Sequence, residues 1–289
     1  RPDLNEELDD SQLTGTVKLA YHPNDNTLTY ASFATGYKAG GTNTDRILPS
    51  LSPLFDAEKS RSAEIGIKHD FEEYGVRVNA AAHYTQISDF QATTFTGTGF
   101  NLQNAGDIIV KGVELEATWL MTENIELHAV ASRTLANFDE FKRGTCWVAY
   151  TWHTGIDDPG RVEPNDPFCS RDGDRVGFEP QNSLSLMLNH YFEVGNYPAS
   201  ASIDYQYTGD VFLDDANDPY KYADDFSLFN VRVSFTIPQW DSEIIAWSRN
   251  VFDEEYVARS GFDVPVQTGK IMAYPGAPRS FGVTFRKSF

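Results

Sequence analysis

About eleven times along this chain apolar and polar side chains alternate with a period of two, and the connections between these runs are alternately short and long. Few folds accept that pattern. In its last instance Phe281, Val283, Phe285 and Phe289 fall on one face, interrupted by Lys287, while Ser280, Gly282, Thr284, Arg286 and Ser288 fall on the other, as extended backbone requires. A soluble sandwich strand can look like this. So many two-faced strands, the last ending on an aromatic residue, predict instead a transmembrane β-barrel with lipid outside and a polar lumen inside.

The earlier runs agree. Val17, Leu19 and Tyr21 oppose Thr16, Lys18 and His22; Val76, Val78, Ala80, Ala82 and Tyr84 oppose Arg77, Asn79 and His83; Val113, Leu115, Ala117 and Trp119 oppose Glu114, Glu116 and Thr118. Leu184, Leu186 and Leu188, then Ala201, Ile203 and Tyr205, then Val231, Val233 and Phe235 continue the series, and Ile245 and Trp247 read as the apolar positions of the tenth run. Turn compositions stand at Pro23–Asn26, Glu72–Gly75, Thr122–Asn124, Gly195–Pro198 and Pro238–Ser242. Between them lie long polar stretches, the longest from about Asp139 to Pro180.

Soluble meanders have no reason to gather every long loop at one end, whereas outer-membrane barrels have short periplasmic turns and long extracellular loops. Charges at mid-strand, such as Glu114, Glu116, Asp204 and Arg232, would each cost about 2–4 kcal/mol facing lipid and little facing a wet lumen. The predicted class is therefore all-β, a transmembrane antiparallel barrel. An odd number of strands cannot close such a barrel, and an open edge cannot face hydrocarbon. At least one further strand is thus expected, and the last strand should pair with the run containing Ile245 and Trp247.

Charge and cysteines narrow the partners. Lys+Arg 23 against Asp+Glu 42 gives a net charge of −19, which argues against a nucleic-acid partner because phosphate binding depends on Lys and Arg. No run approaches the roughly 18 apolar residues of a spanning helix. The chain starts at Arg1-Pro-Asp without a signal sequence, so the start reads as a cut. Cys146 and Cys169 share one polar loop without zinc-ligand spacing; a loop disulfide in an oxidising compartment is the first reading, two free thiols the other.

Four segments carry a family resemblance. Tyr30-Ala-Ser-Phe-Ala-Thr-Gly-Tyr-Lys-Ala-Gly-Gly-Thr-Asn43, Phe55-Asp-Ala-Glu-Lys-Ser-Arg-Ser-Ala-Glu-Ile-Gly-Ile-Lys68, Asn250-Val-Phe-Asp-Glu-Glu-Tyr256 and the ending from Pro275 resemble, in order, the β-barrel of TonB-dependent outer-membrane receptors. The resemblance implies a barrel of about 22 strands filled by an N-terminal plug. Residues 1–289 would be its C-terminal part, about eleven strands, with the plug and the N-terminal strands elsewhere on the same or a separate chain. It further implies the outer membrane of a Gram-negative bacterium, contact with outer-membrane lipid, energy from TonB–ExbB–ExbD, and uptake of a siderophore-iron chelate, cobalamin or an oligosaccharide. A passive porin or an adhesin barrel is the alternative.

Catalytic patterns are missing from the residues. Histidines 22, 69, 83, 128, 153 and 190 are scattered without a nucleophile elbow, HExxH or phosphate cradle, so neither an enzyme nor a cofactor is expected. Asp157-Asp158 and Asp214-Asp-Ala-Asn-Asp lack the spacing of a known calcium loop, and no metal site is assigned. Trp147, Tyr150, Trp152 and His153, in the cysteine loop, are the candidate substrate-facing residues, because exposed loop aromatics often mark binding; packing among the loops is the other reading.

Overall fold

A computed structural model describes residues 7–43, 52–95, 100–147, 157–161, 163, 168–263 and 270–288. Eleven antiparallel strands form one continuous sheet, each beside its sequence neighbours. They are β1 (Gly15–Asn24), β2 (Thr27–Lys38), β3 (Glu58–Phe71), β4 (Val76–Ser88), β5 (Asp107–Thr122), β6 (Ile125–Glu140), β7 (Asn182–Val194), β8 (Tyr197–Thr208), β9 (Phe226–Ile237), β10 (Ser242–Arg249) and β11 (Ser280–Lys287). As expected from the pattern, β11 pairs with β10, Val283 opposite Ala246 and Thr284 opposite Ile245. β1 and β11 each have a neighbour on one side only among the described residues.

The register carries the alternation across the sheet without a slip of face. Val17 pairs with Phe33, Phe33 with Ala63 and Ala63 with Tyr84; farther on, Leu188 pairs with Ile203, Ile203 with Val231 and Phe235 with Ile244. These residues share one face. Val17 and Leu19 are 73% exposed and Val283 72%, so a continuous apolar surface is left uncovered, far beyond what a soluble monomer shows. The other face carries Lys18, Glu64, Arg77, Glu116, Asp204, Arg232 and Arg286, and some of these charges are held by neighbours. Arg77 holds Asp70 at 2.5 and 3.1 Å, Arg286 holds Glu243 at 3.1 Å, and Asn79 donates to Glu116 at 2.9 Å. Ser132–Ser183 and Ser200–Ser234 hydroxyl pairs at 2.7 and 2.8 Å bridge neighbouring strands on this face.

One assignment is reversed. Ile245 and Trp247 pair with Ser234 and Arg232 on one side and with Thr284 and Gly282 on the other, which sets them on the charged face. The outward residues of β10 are Ile244 and Ala246. Apolar size misled there: Trp247 has a polar edge, and its indole N–H donates to Thr284 Oγ1 at 3.3 Å across from Gly282. A side chain at Gly282 would strike the Trp247 ring, its Cβ falling 2.7 Å from the nearest carbon.

Turns behave as their composition requires. The Glu72–Tyr74 and Pro238–Trp240 turns are single 3₁₀ turns closed by left-handed Gly75 and Asp241. At the opposite end, every long connection contains its own two-stranded ladder: Gly41–Thr42 with Leu54–Phe55, Gln91–Phe95 with Phe100–Asn104, Gly144–Thr145 with Phe168–Cys169, Val211–Phe212 with Tyr222–Ala223, and Val257–Asp263 with Ile271–Pro275. Reading these stretches as polar loops missed all five. Three of the five ladders have two residues per strand, too few to show a period.

Candidate functional site: the loop cluster above the strands

The loops are joined into one body rather than standing apart. Asn43, before β3, exchanges two hydrogen bonds with the backbone of Leu102 (2.7 and 2.8 Å), and the Gln91 amide donates to the carbonyls of Ala39 (2.8 Å) and Asp56 (3.0 Å). Gln103 donates to the Arg143 carbonyl at 2.9 Å. Beneath this junction Ala92, Ala105, Ile108, Phe138 and Phe141 form a small buried core, Phe138 and Phe141 tilted together at 4.9 Å between ring centres. Burying such side chains contributes to loop order here.

Arg171 is the hub of the larger half. It is 2% exposed, and its guanidinium binds the Asp158 carboxylate, the Ala216 carbonyl at 2.7 Å and Asp174 at 3.3 Å. Asp158, also 2% exposed, accepts the backbone N–H groups of Trp147 (2.9 Å) and Gly160 (2.8 Å) as well. Three chain segments that are distant in sequence therefore meet on one ion pair. Removing such a pair from water is expensive; the hydrogen bonds to both terminal guanidinium nitrogens and to the Asp158 carboxylate offset that cost, while the buried Arg171 Nε has no partner among the described residues. Burial pushes the Asp174 carboxyl up from its ordinary value despite Arg171 beside it.

Cys146 and Cys169 are joined, their Cα atoms 5.2 Å apart, next to the Gly144–Thr145 and Phe168–Cys169 ladder. The Asp158 carboxylate lies within 4.8 Å of both sulfurs, but the sulfurs are spent on each other and the carboxylate on Arg171. On the chain-entropy model, closing a loop of this length is worth about 3 kcal/mol. Reducing the purified protein, or replacing Cys146 by Ser, should therefore open residues 141–181 to protease while the β strands stay resistant. Unchanged protease resistance would remove the disulfide as a fastener.

The acidic 209–225 loop docks on the same body. Arg175 binds Asp210 at 2.6 Å and exchanges hydrogen bonds with Asn217, Lys221 binds Asp214 at 2.8 Å, and Asp215 accepts the Gly177 N–H at 2.9 Å. Arg175 holds the Asp210 carboxyl below its ordinary value, whereas burial pushes Asp215 up. Asp210 and Asp215 thus tie loop to loop, while Asp214 holds its own loop together.

Of the aromatic residues singled out from the sequence, Trp147 is half-buried, its indole N–H donating to the Ala216 carbonyl at 2.7 Å. It packs one loop on another. Tyr150, Trp152 and His153 lie outside the described residues. Arg171 and Arg175 go unnoticed in the sequence, and Asp158 reads there only as one of a pair without calcium-loop spacing, because a polar loop gives no sign of which of its charges will be buried.

The chain matches the family model described as "TonB dependent receptor-like, beta-barrel" over residues 3–251. It is 35% identical over 113 residues to the pesticin receptors of Yersinia enterocolitica and Yersinia pestis, a match covering 38% of this chain and 16% of theirs. Its structure resembles the ferric yersiniabactin uptake receptor of Yersinia pestis at a TM-score of 0.73 and 22% identity, covering 97% of this chain and 38% of that one. The siderophore receptor PiuA of Acinetobacter baumannii follows this fold at 0.66 and 17%, with 94% and 35% covered, and the copper transporter OprC at 0.69 and 15%, with 96% and 39% covered. The chain thus spans well under half the length of the relatives it matches. With the family model covering most of its length, a one-faced apolar sheet and every long loop at one rim, the chain belongs to the TonB-dependent receptor β-barrel family.

Proposed function

We propose that this chain is wall and loop cap of an outer-membrane receptor of a Gram-negative bacterium that takes up a scarce, large nutrient by active transport. The observation that carries this reading is the two-faced sheet, apolar and uncovered outside, charged inside, within a family defined by TonB dependence. Lipid covers the outer face; a plug and further strands complete the barrel; TonB–ExbB–ExbD supplies energy. Among siderophore-iron, cobalamin and oligosaccharide cargoes, the names of the relatives, receptors for pesticin, ferric yersiniabactin and siderophores, favour a ferric chelate. The cysteine loop, through Tyr150, Trp152 and His153, is the surface proposed to meet it first. Transport needs no covalent step, so no catalytic set is assigned.

Cells that depend on the receptor for chelated iron should lose uptake when the proton-motive force is dissipated, while ligand still binds at the surface. Uptake of radiolabelled ferric chelate with and without an uncoupler measures this. Uptake that survives the uncoupler would mean a passive pore instead.

A further inference from the structure

Although the chain carries 42 acidic residues against 23 basic ones, the ladder register sorts charge by face. Glu64, Glu114, Glu116, Glu126, Asp204 and Glu243 all turn inward with the polar series. The outward face carries Lys59, Arg61, Lys111, Arg133 and Lys287. The paired acids turned outward are Asp107 and its partner Glu140, at the loop-side ends of β5 and β6, and Glu140 is held by Lys142 at 2.6 Å. An acidic protein thus shows a basic outer face.

Three of these cations form a row. Arg61 pairs with Gln86; two rungs nearer the turns Lys111 pairs with Tyr84; two rungs farther Arg133 pairs with Val113. The row steps toward the turns as strand order advances, in the same sense as the loop-side rim, where β7 begins at Asn182 opposite Arg133. Lys111 and Arg133 are diagonal neighbours, about 7–8 Å apart. All three side chains are exposed; Arg133 donates to Asn182 at 3.0 Å, and no ion pair is recorded for Arg61 or Lys111 among the described residues. Beside the row, the small side chains of Ala80 and Ala82 leave an apolar hollow of about 730 Å³ between Ile65, Val113 and Leu115, with Arg133 on its lining.

We propose that Arg61, Lys111 and Arg133 bind the phosphate of an acylated membrane lipid whose chain lies in the hollow below. Cations standing alone at the edge of a hydrocarbon face are costly unless they reach anionic headgroups, and each basic side chain near an anionic lipid surface gains about a factor of five in affinity. A hydrocarbon chain fits the hollow's lining, and a phosphate fits its rim. The proposal rests on the membrane reading above.

Native mass spectrometry of the assembled receptor in detergent, with phosphatidylglycerol, phosphatidylcholine, diphosphorylated lipid A or inorganic phosphate added, tests it. The two phosphorylated anionic lipids should stay bound; phosphatidylcholine and free phosphate should not. The Arg61→Gln, Lys111→Gln, Arg133→Gln triple variant should weaken retention by about 100-fold, and Ala82→Phe, which fills the hollow with the cations intact, should also weaken it. Equal retention of phosphatidylcholine, or full retention by both variants, would overturn the site. A receptor that needs no detergent would overturn the membrane reading itself, a distinct result. If the triple variant fails to assemble, Ala82→Phe alone decides.

Discussion

Replacing Arg171 by Met is expected to unfasten the loop cap while leaving the strands beneath it paired. The buried guanidinium joins the equally buried Asp158, the Ala216 carbonyl and the partly exposed Asp174. Met fills part of the volume but leaves the Asp158 carboxylate buried beside an apolar group, and breaking a buried pair from one side costs about 3–5 kcal/mol. That exceeds what local loop structure withstands, since loops sit at the low end of a protein's range of opening energies. Hydrogen exchange in residues 141–147, 168–181 and 209–225 should therefore rise by orders of magnitude, with exchange in β5 to β8 unchanged. Asp158→Asn should give a smaller loss, because Arg171 keeps the Asp174 carboxylate and the Ala216 carbonyl. Arg171→Met combined with Asp158→Leu should recover stability relative to Arg171→Met alone, since no buried charge remains without its partner. If Arg171→Met exchanges like the parent, the hub is ornamental.

The second large effect concerns the two faces of β11. Val283 is 72% exposed among Phe281, Ala246 and Phe285, whereas Thr284 faces Ile245 and receives the Trp247 indole N–H. Val283→Arg should destabilise the assembled barrel by about 2–4 kcal/mol if the position lies near the bilayer midplane, and Thr284→Arg by far less. Heat-modified mobility on gels reads the assembled fraction of each variant. Similar losses for both, or a larger one for Thr284→Arg, would invert the assigned faces and with them the membrane reading.

The period of two was enough to place all eleven strands, their order and all but a few of their faces. Side chains on a strand alternate whatever surrounds them, and a face that must meet hydrocarbon admits few polar residues, so Val17 to Tyr21 and Phe281 to Phe285 disclose their orientation before any neighbour is known. The alternation of short and long connections likewise put the loops at one rim. Where one residue can serve both faces, the pattern failed: Trp247 is large and apolar enough for lipid, yet pairing with Arg232 and Gly282 turned it inward. The loop cap was hidden for a deeper reason. Contacts such as Arg171 with Asp158 and Ala216, or Asn43 with Leu102, join residues by proximity in space with no repeat along the chain. Which of many loop charges is buried is settled only when separate segments dock and exclude water, so the tertiary structure alone could select Arg171.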